Sequence, residues 1–147
     1  MAKYGISILK FIILLIFITT LLFSSNEKAE KKIYTSIIHV LVPNKSSIKI
    51  WTDMNKKKDM LRSVKSVNIV DNIDDADLLI INSTENIKTN ILKFATSYKM
   101  LLKYKKDIVG GFYWQKGRPN ILFLKDNIDK YNVKLPASMN QYIESEF

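Results

Sequence analysis

The stretch Leu78-Leu79-Ile80-Ile81 decides how this chain folds, because it is a continuous run of branched apolar side chains. A strand with water on one face alternates apolar and polar residues, whereas a strand covered on both faces is apolar throughout. The run therefore predicts a strand in the interior of a sheet. Predicted strands and helices alternate along the flanking sequence, which indicates an α/β sandwich with a mostly parallel sheet.

The spacing of apolar residues divides the remaining sequence into short elements. Helices are predicted at residues 29–42, 53–64, 98–106, 126–132 and 137–145, and Asp53 is expected to cap the second of them. Further strands are predicted at residues 47–51, 67–70, 91–95, 108–114 and 120–124. The last two strands flank Gln115-Lys116-Gly117-Arg118, where the glycine favours a tight turn. The sheet is therefore expected to end in a C-terminal antiparallel edge hairpin.

The first 26 residues have a different composition from the rest of the chain. Residues 11–23 carry no charged side chain, and Lys3 and Lys10 precede them. An apolar run of this length is short for a membrane span and typical of the core of a signal peptide. Residues 1–26 are therefore interpreted either as a cleaved signal peptide or as an N-terminal hydrophobic helix that anchors the chain in the membrane. Both interpretations leave residues 27–147 as a single α/β domain that is expected to lie outside the cytoplasm, in the cell envelope.

The overall composition narrows the class of protein. The apolar share of 47% is that of a folded chain rather than a disordered one. The chain contains no cysteine, which excludes a disulfide framework, a metal site built on thiolates and a thiol nucleophile.

The positive charge is concentrated in one region. The formal net charge is +9, of which Lys3 and Lys10 contribute two, so residues 27–147 carry +7. Residues 93–118 contain seven cations and only one acid, Asp107, and aromatic residues lie between the cations. Such a region can bind nucleic acid, but an export segment argues against that partner. We interpret the region either as a charged helix face or as a surface for an anion, a membrane or an acidic protein.

An acidic cluster invites a calcium interpretation that its spacing does not support. A calcium-binding loop needs oxygen ligands at alternate positions and a glycine at the sixth, but the sixth position from Asp71 is Ala76. A solvated turn before the strand at Leu78 is the expected structure. The acidic residues are Asp71, Asp74, Asp75 and Asp77.

Residues for catalysis are also sparse. His39 is the single histidine, and the sequence has no nucleophile elbow, glycine-rich phosphate loop or zinc-binding histidine pair. We therefore expect no catalytic residue, no cofactor and no metal. An envelope enzyme is the third interpretation, and it would require His39 to lie near Asp53 or Asp107 in a pocket.

Residues 110–118 form the most distinctive stretch. Two glycines within a strand mark a bulge or a close approach of another backbone, and alternation places Phe112 and Trp114 on one face with Tyr113 on the other. Aromatic residues and arginine dominate the energetics of protein contacts. We expect a partner contact that consists of Gly110, Gly111, Tyr113, Lys116 and Arg118. The alternative is a site for a small anion that uses Lys99, Lys103 and Arg118.

The same region resembles the C-terminal part of the YfiR-like family of exported regulators. The resemblance covers residues 108–137 and follows the order of a glycine pair, a strand, a turn with an arginine, a second strand, a helix and a closing segment with a leucine. The matching residues are Gly110-Gly111, 112–114, Arg118, 121–123, 127–131 and Val133-Lys134-Leu135.

This resemblance implies a function. A YfiR-like protein lies in the periplasm, binds the outer part of a membrane signalling enzyme, typically a diguanylate cyclase or a sensor kinase, and modulates it. The family is regulatory, so the resemblance implies no catalytic residue in this chain. The expected partner is therefore a membrane signalling protein.

Overall fold

The structure is a computed structural model that describes residues 26–145. The chain divides into two compact units, Met1–Tyr34 and Thr35–Phe147. The expected signal peptide or hydrophobic anchor lies outside the described residues, apart from Asn26. Over residues 26–145, no helix has both the length and the apolar character that crossing a membrane requires.

The described chain contains four α-helices and seven strands. Helix α1 covers residues 26–41, and the later helices are α2 (Lys58–Arg62), α3 (Tyr98–Lys103) and α4 (Lys125–Lys130). The strands are β1 (Ile48–Thr52), β2 (Val67–Ile69), β3 (Leu78–Ile81), β4 (Leu92–Ala95), β5 (Gly110–Gln115), β6 (Arg118–Leu124) and β7 (Ile143–Glu144). Short 3-10 helices lie at Asn55–Lys57, Ile73–Asp75 and Ala137–Tyr142.

The strands form one sheet in the order β2-β1-β3-β4-β5-β6-β7. Every neighbouring pair is parallel except β5 and β6, which are antiparallel. The predicted α/β architecture with a mostly parallel sheet and an antiparallel hairpin is confirmed. The strand order changes direction between β1 and β3, and the carboxyl ends of parallel strands at such a point are where open α/β sheets present their sites.

Strand β3 lies inside this sheet. Its four side chains are all buried, as the continuous apolar run predicted. Leu79 and Ile81 belong to one apolar cluster with Ala95, Leu101 and Ile108. The cluster joins β3 and β4 to α3 and to the start of β5, so α3 is held against this face of the sheet.

The C-terminal end differs from the prediction in two respects. The hairpin is not the edge of the sheet, because β7 pairs in parallel with β6 through Phe123–Ile143 and Leu124–Glu144. The helix predicted at residues 137–145 is wrong, since Ala137–Tyr142 is a 3-10 helix and the strand follows it. No residue of that 3-10 helix is buried, so it lacks the apolar stripe that would stabilise an α-helix.

The hairpin itself is regular. The register runs without a bulge from Gly110–Phe123 to Gln115–Arg118, so the first of the two expected alternatives does not apply. The turn is Lys116-Gly117, with positive φ angles of 50° and 75°, which is the pair of conformations that a two-residue type I′ turn requires. The expected close approach is confirmed: a Cβ on Gly110 would lie 2.4 Å from the carbonyl oxygen of Leu122.

Gly110→Ala is expected to lower the free energy of unfolding by about 3 kcal/mol, because the clashing atom belongs to the backbone of a paired strand and cannot swing away. Gly111→Ala is the matched control. Its Cβ would lie 3.3 Å from the flexible methyl groups of Leu101, and we expect a cost of about 1 kcal/mol. Urea denaturation of the two variants measures the difference, and equal losses of stability would contradict this packing.

Candidate functional site

The expected contact residues occupy two environments on the hairpin. Gly110 and Gly111 are buried at its base, where they pair with Phe94 and Ala95 of β4. Tyr113 is half-buried, and Lys116 and Arg118 are exposed at the turn. The glycines therefore shape the strand, and the accessible part of the expected contact lies in the outer half of the hairpin.

The outer half of the hairpin extends beyond the parallel strands. Pairing between β4 and β5 covers only Gly110 and Gly111, and pairing between β6 and β7 covers only Phe123 and Leu124. In the described chain, the residues from Phe112 to the turn therefore pair only with the opposite strand of the hairpin. Such a two-stranded arm, closed by a tight turn, presents its side chains on two faces and at its tip.

One face of this arm carries an exposed tryptophan. Trp114 is 40% exposed, and its ring meets Phe112 edge-on with the centroids 6.1 Å apart. Phe112 is buried, so it anchors the tryptophan from the core side. The predicted placement of Phe112 and Trp114 on one face is confirmed.

The tip of the arm carries two cations. Gln115, Lys116, Arg118 and Asn120 line a shallow depression of about 400 Å³. The side chains of Lys116 and Arg118 make no ion pair with any residue in the part of the chain that the structure describes. Their charge is therefore not neutralised within the described fold.

The opposite face of the arm is aromatic. Tyr113 packs against Tyr98 of α3 with ring centroids 5.3 Å apart, and Tyr98 and Leu102 are both exposed. Burial raises the pKa of the Tyr113 hydroxyl, with smaller contributions from Tyr98 and Glu144. This face therefore continues from the hairpin onto the outer side of α3.

The three residues of the alternative anion site, Lys99, Lys103 and Arg118, lie in two different surroundings. The ammonium of Lys103 lies 2.5 Å from a carboxylate oxygen of Glu85, whereas Arg118 lies at the tip of the hairpin. Lys99 is also near enough to Glu85 to help lower the pKa of its carboxyl. Lys99 and Lys103 thus share an acid of the neighbouring loop.

The candidate catalytic groups have separate partners. The Nδ1 atom of His39 lies 2.8 Å from the carbonyl oxygen of Thr35 within α1, and Asp107 lies 3.7 Å from the ammonium of Lys130. The acidic turn forms the 3-10 helix Ile73–Asp75. Among residues 26–145, no group of three histidine, aspartate or glutamate side chains could hold a metal ion.

Asp53 follows β1 and binds the loop that follows β3. Its two carboxylate oxygens accept hydrogen bonds from the backbone N–H groups of Asn82, Ser83 and Thr84, at 2.7–2.8 Å. The hydroxyl groups of Ser83 and Thr84 donate two more, at 3.1 and 2.8 Å. The predicted capping role is wrong, because Asp53 satisfies this loop rather than the start of the following helix.

This arrangement occupies the place where the strand order changes direction. Burial opposes ionisation of Asp53, but the hydrogen bonds from residues 82–84 outweigh it and hold the pKa of the carboxyl below its ordinary value. The carboxylate fills a cluster of N–H donors that would otherwise bind an anion. Asp53 therefore acts as an internal ligand that fixes the start of the loop at residues 82–91.

Lys93 is the residue that the sequence prediction passed over. The sequence groups it with the other cations of residues 93–118, but the residue is only 5% exposed and lies in a pocket beside α3. The sequence feature that indicates its burial is its position inside the apolar strand predicted at residues 91–95. A cation within a buried strand must have polar partners, whereas a cation on a helix face need not.

Comparison with known proteins identifies no relative of this chain. Neither a protein-family model, nor a curated protein, nor a solved structure matches this chain.

Asp53→Asn is expected to destabilise the fold by about 2 kcal/mol at pH 7, because it removes the charge that the loop donors bind. The folded-state pKa of Asp53 is depressed, so its contribution is complete above about pH 4 and is lost as the pH falls through the folded-state value. The stability difference between wild type and variant should therefore shrink in acid. Urea denaturation at pH 7 and pH 3 measures it.

Asp59→Asn is the matched control, since Asp59 is exposed and forms only a surface ion pair with Arg62. Its effect should stay below about 1 kcal/mol at both pH values. A loss for Asp53→Asn that is as large at pH 3 as at pH 7 would contradict the assigned role of the charge.

Proposed function

We propose that this chain is a non-enzymatic regulatory partner of a membrane signalling protein, and that it acts by protein–protein contact on the periplasmic side of the cell envelope. The observation that carries the proposal is the arm of the β5–β6 hairpin. It combines an exposed Trp114 with two cations at the turn, Lys116 and Arg118, that form no ion pair within residues 26–145.

The physical properties of the arm suit a contact surface. Tryptophan and arginine are the residues that contribute most to binding energy at protein interfaces, since they bury a large area and form directed hydrogen bonds. The tight turn and the packing of Trp114 on Phe112 order these groups before binding, so little conformational entropy is lost on association. The arm is therefore prepared to bind without rearrangement.

The charge of the arm selects the kind of partner. Lys116 and Arg118 favour an acidic surface, which they would attract before contact and orient during it. Because Arg118 forms a planar fork of donors, it is suited to pair with a carboxylate through two hydrogen bonds. The proposed partner thus presents an acidic patch next to a pocket that accepts the indole of Trp114.

The cellular setting of the proposal comes from the sequence. Residues 1–26 have the composition of an export signal or membrane anchor, which would place the domain outside the cytoplasm. The resemblance to the YfiR-like regulators implies a diguanylate cyclase or a sensor kinase as the type of partner. The proposal assigns no reaction to the chain, since His39, Asp53 and Asp107 each have a different partner.

The test compares partner recovery from solubilised envelope extract by the wild-type protein and by Arg118→Glu. We expect the charge reversal to reduce recovery of a specific membrane signalling protein by about tenfold, and raised salt to weaken wild-type recovery. Quantitative mass spectrometry of the captured proteins is the measurement.

Lys65→Glu is the matched control. Lys65 is exposed in the connection after α2 and belongs to neither the hairpin nor α3. Its replacement by glutamate changes the net charge of the protein by the same amount as Arg118→Glu does. Its recovery of the partner should equal that of the wild type. Equal recovery by wild type and Arg118→Glu would overturn the proposed contact.

A further inference from the structure

A pocket of about 200 Å³ lies between β4, α3 and the loop that follows β3. Its floor is apolar and consists of the buried side chains of Ile81, Met100 and Ile108. The loop closes one side with Ile87, and the hydroxyl of Tyr104 accepts a hydrogen bond at 3.3 Å from the backbone of Asn86. The pocket is thus an apolar cleft with a fixed wall.

Lys93 supplies a cation to this cleft. Its ammonium donates a hydrogen bond of 2.5 Å to the carbonyl oxygen of Thr89, and this is its only such bond to the described residues. An ammonium group has three donors, so two remain for another acceptor. The residue as a whole is 95% buried, and an anionic ligand in the pocket would pair with the donors that remain.

The remaining charges of the lining keep the pocket positive. Lys88 lies on the loop and forms no ion pair within residues 26–145. Asp107 is the one acid of the lining, and the ammonium of Lys130 lies 3.7 Å from it. Two lysines therefore face one carboxylate that already has a partner.

We propose that this pocket binds a small organic monocarboxylate. The carboxylate pairs with the ammonium of Lys93, Lys88 approaches from the rim, and the apolar part packs on Ile81, Met100 and Ile108. The volume sets the size, because an apolar cavity of about 150 Å³ accepts benzene. A ligand with a single ring or a short branched chain fits. The inference is independent of the proposed partner contact, since the pocket and the hairpin share no residue.

The ionisation of Lys93 adds a property that binding should reveal. Burial lowers the pKa of its ammonium, Asp107 opposes this effect and Lys130 adds to it, while Lys88 also lines the pocket. A bound carboxylate favours the charged ammonium. Affinity is therefore expected to fall as the pH rises, and to do so below the pH at which an ordinary lysine loses its proton.

The experiment titrates the full-length chain with 4-fluorobenzoate and follows the fluorine NMR signal of the ligand. We expect Lys93→Met, which keeps the apolar stem, to raise the dissociation constant by about tenfold or more, and Lys88→Met to raise it a few-fold. Lys99→Met is the matched control on the exposed side of α3 and should bind as the wild type does. Neutral 4-fluorobenzamide and cationic 4-fluorobenzylamine should bind far more weakly.

Ile87→Trp on the loop fills the pocket and should abolish binding, which keeps the proposal testable if Lys93→Met does not fold. Three results would overturn the proposal: no binding of 4-fluorobenzoate at about 10 mM, unchanged affinity in the folded Lys93→Met or Ile87→Trp variant, or equal affinity for the amide or the amine. The outcome bears only on the pocket, because partner recovery through Arg118 is measured separately.

Discussion

The burial of β3 on both of its faces is the constraint on which the rest of the structure depends. Four consecutive apolar side chains leave no face for water, so both faces of the strand must be covered. Its two edges are occupied by β1 and β4 in parallel, with Leu78 paired to both Ile50 and Leu92. Parallel neighbours require crossover connections, and these connections supply the helices and loops that carry the candidate sites.

Both candidate sites follow from where this sheet ends. The loop after β3 leaves the sheet beside Asp53, whose carboxylate satisfies the N–H groups at its start, and the loop then forms one wall of the Lys93 pocket. The hairpin arm exists because β5 and β6 continue beyond β4 and β7. Helix α3 contributes to each place, since Met100 lines the pocket and Tyr98 packs against Tyr113 of the arm.

Local patterns in the sequence predicted much of the fold. The apolar run of β3, the alternation of strands and helices, and the glycine of the hairpin turn are determined by neighbours in sequence, and all three predictions are confirmed. The predictions of local structure were wrong where contacts with residues distant in sequence determine the conformation. Ile143 becomes a strand because β6 offers an unpaired edge, and Asp53 binds a loop that lies about thirty residues further along the chain.

The candidate sites also contain features that neighbouring residues in the sequence determine and features that distant residues determine. Alternation correctly separated Trp114 from Tyr113. The position of Lys93 within an apolar strand indicated its burial, but the pocket around it is formed by α3 and the loop of residues 82–91, which no local pattern describes. The resemblance to the YfiR-like regulators and the export segment stay predictions.

Hydrogen–deuterium exchange of the amides under native conditions tests the central claim most directly, because it reports how much structure must open to expose each strand. We expect the slowest exchange at β3 and its parallel neighbours β1 and β4, intermediate rates at the base of the hairpin, and fast exchange at the turn Lys116-Gly117. Exchange at Leu79, Ile80 and Ile81 as fast as at the turn would contradict a sheet organised around a strand buried on both faces.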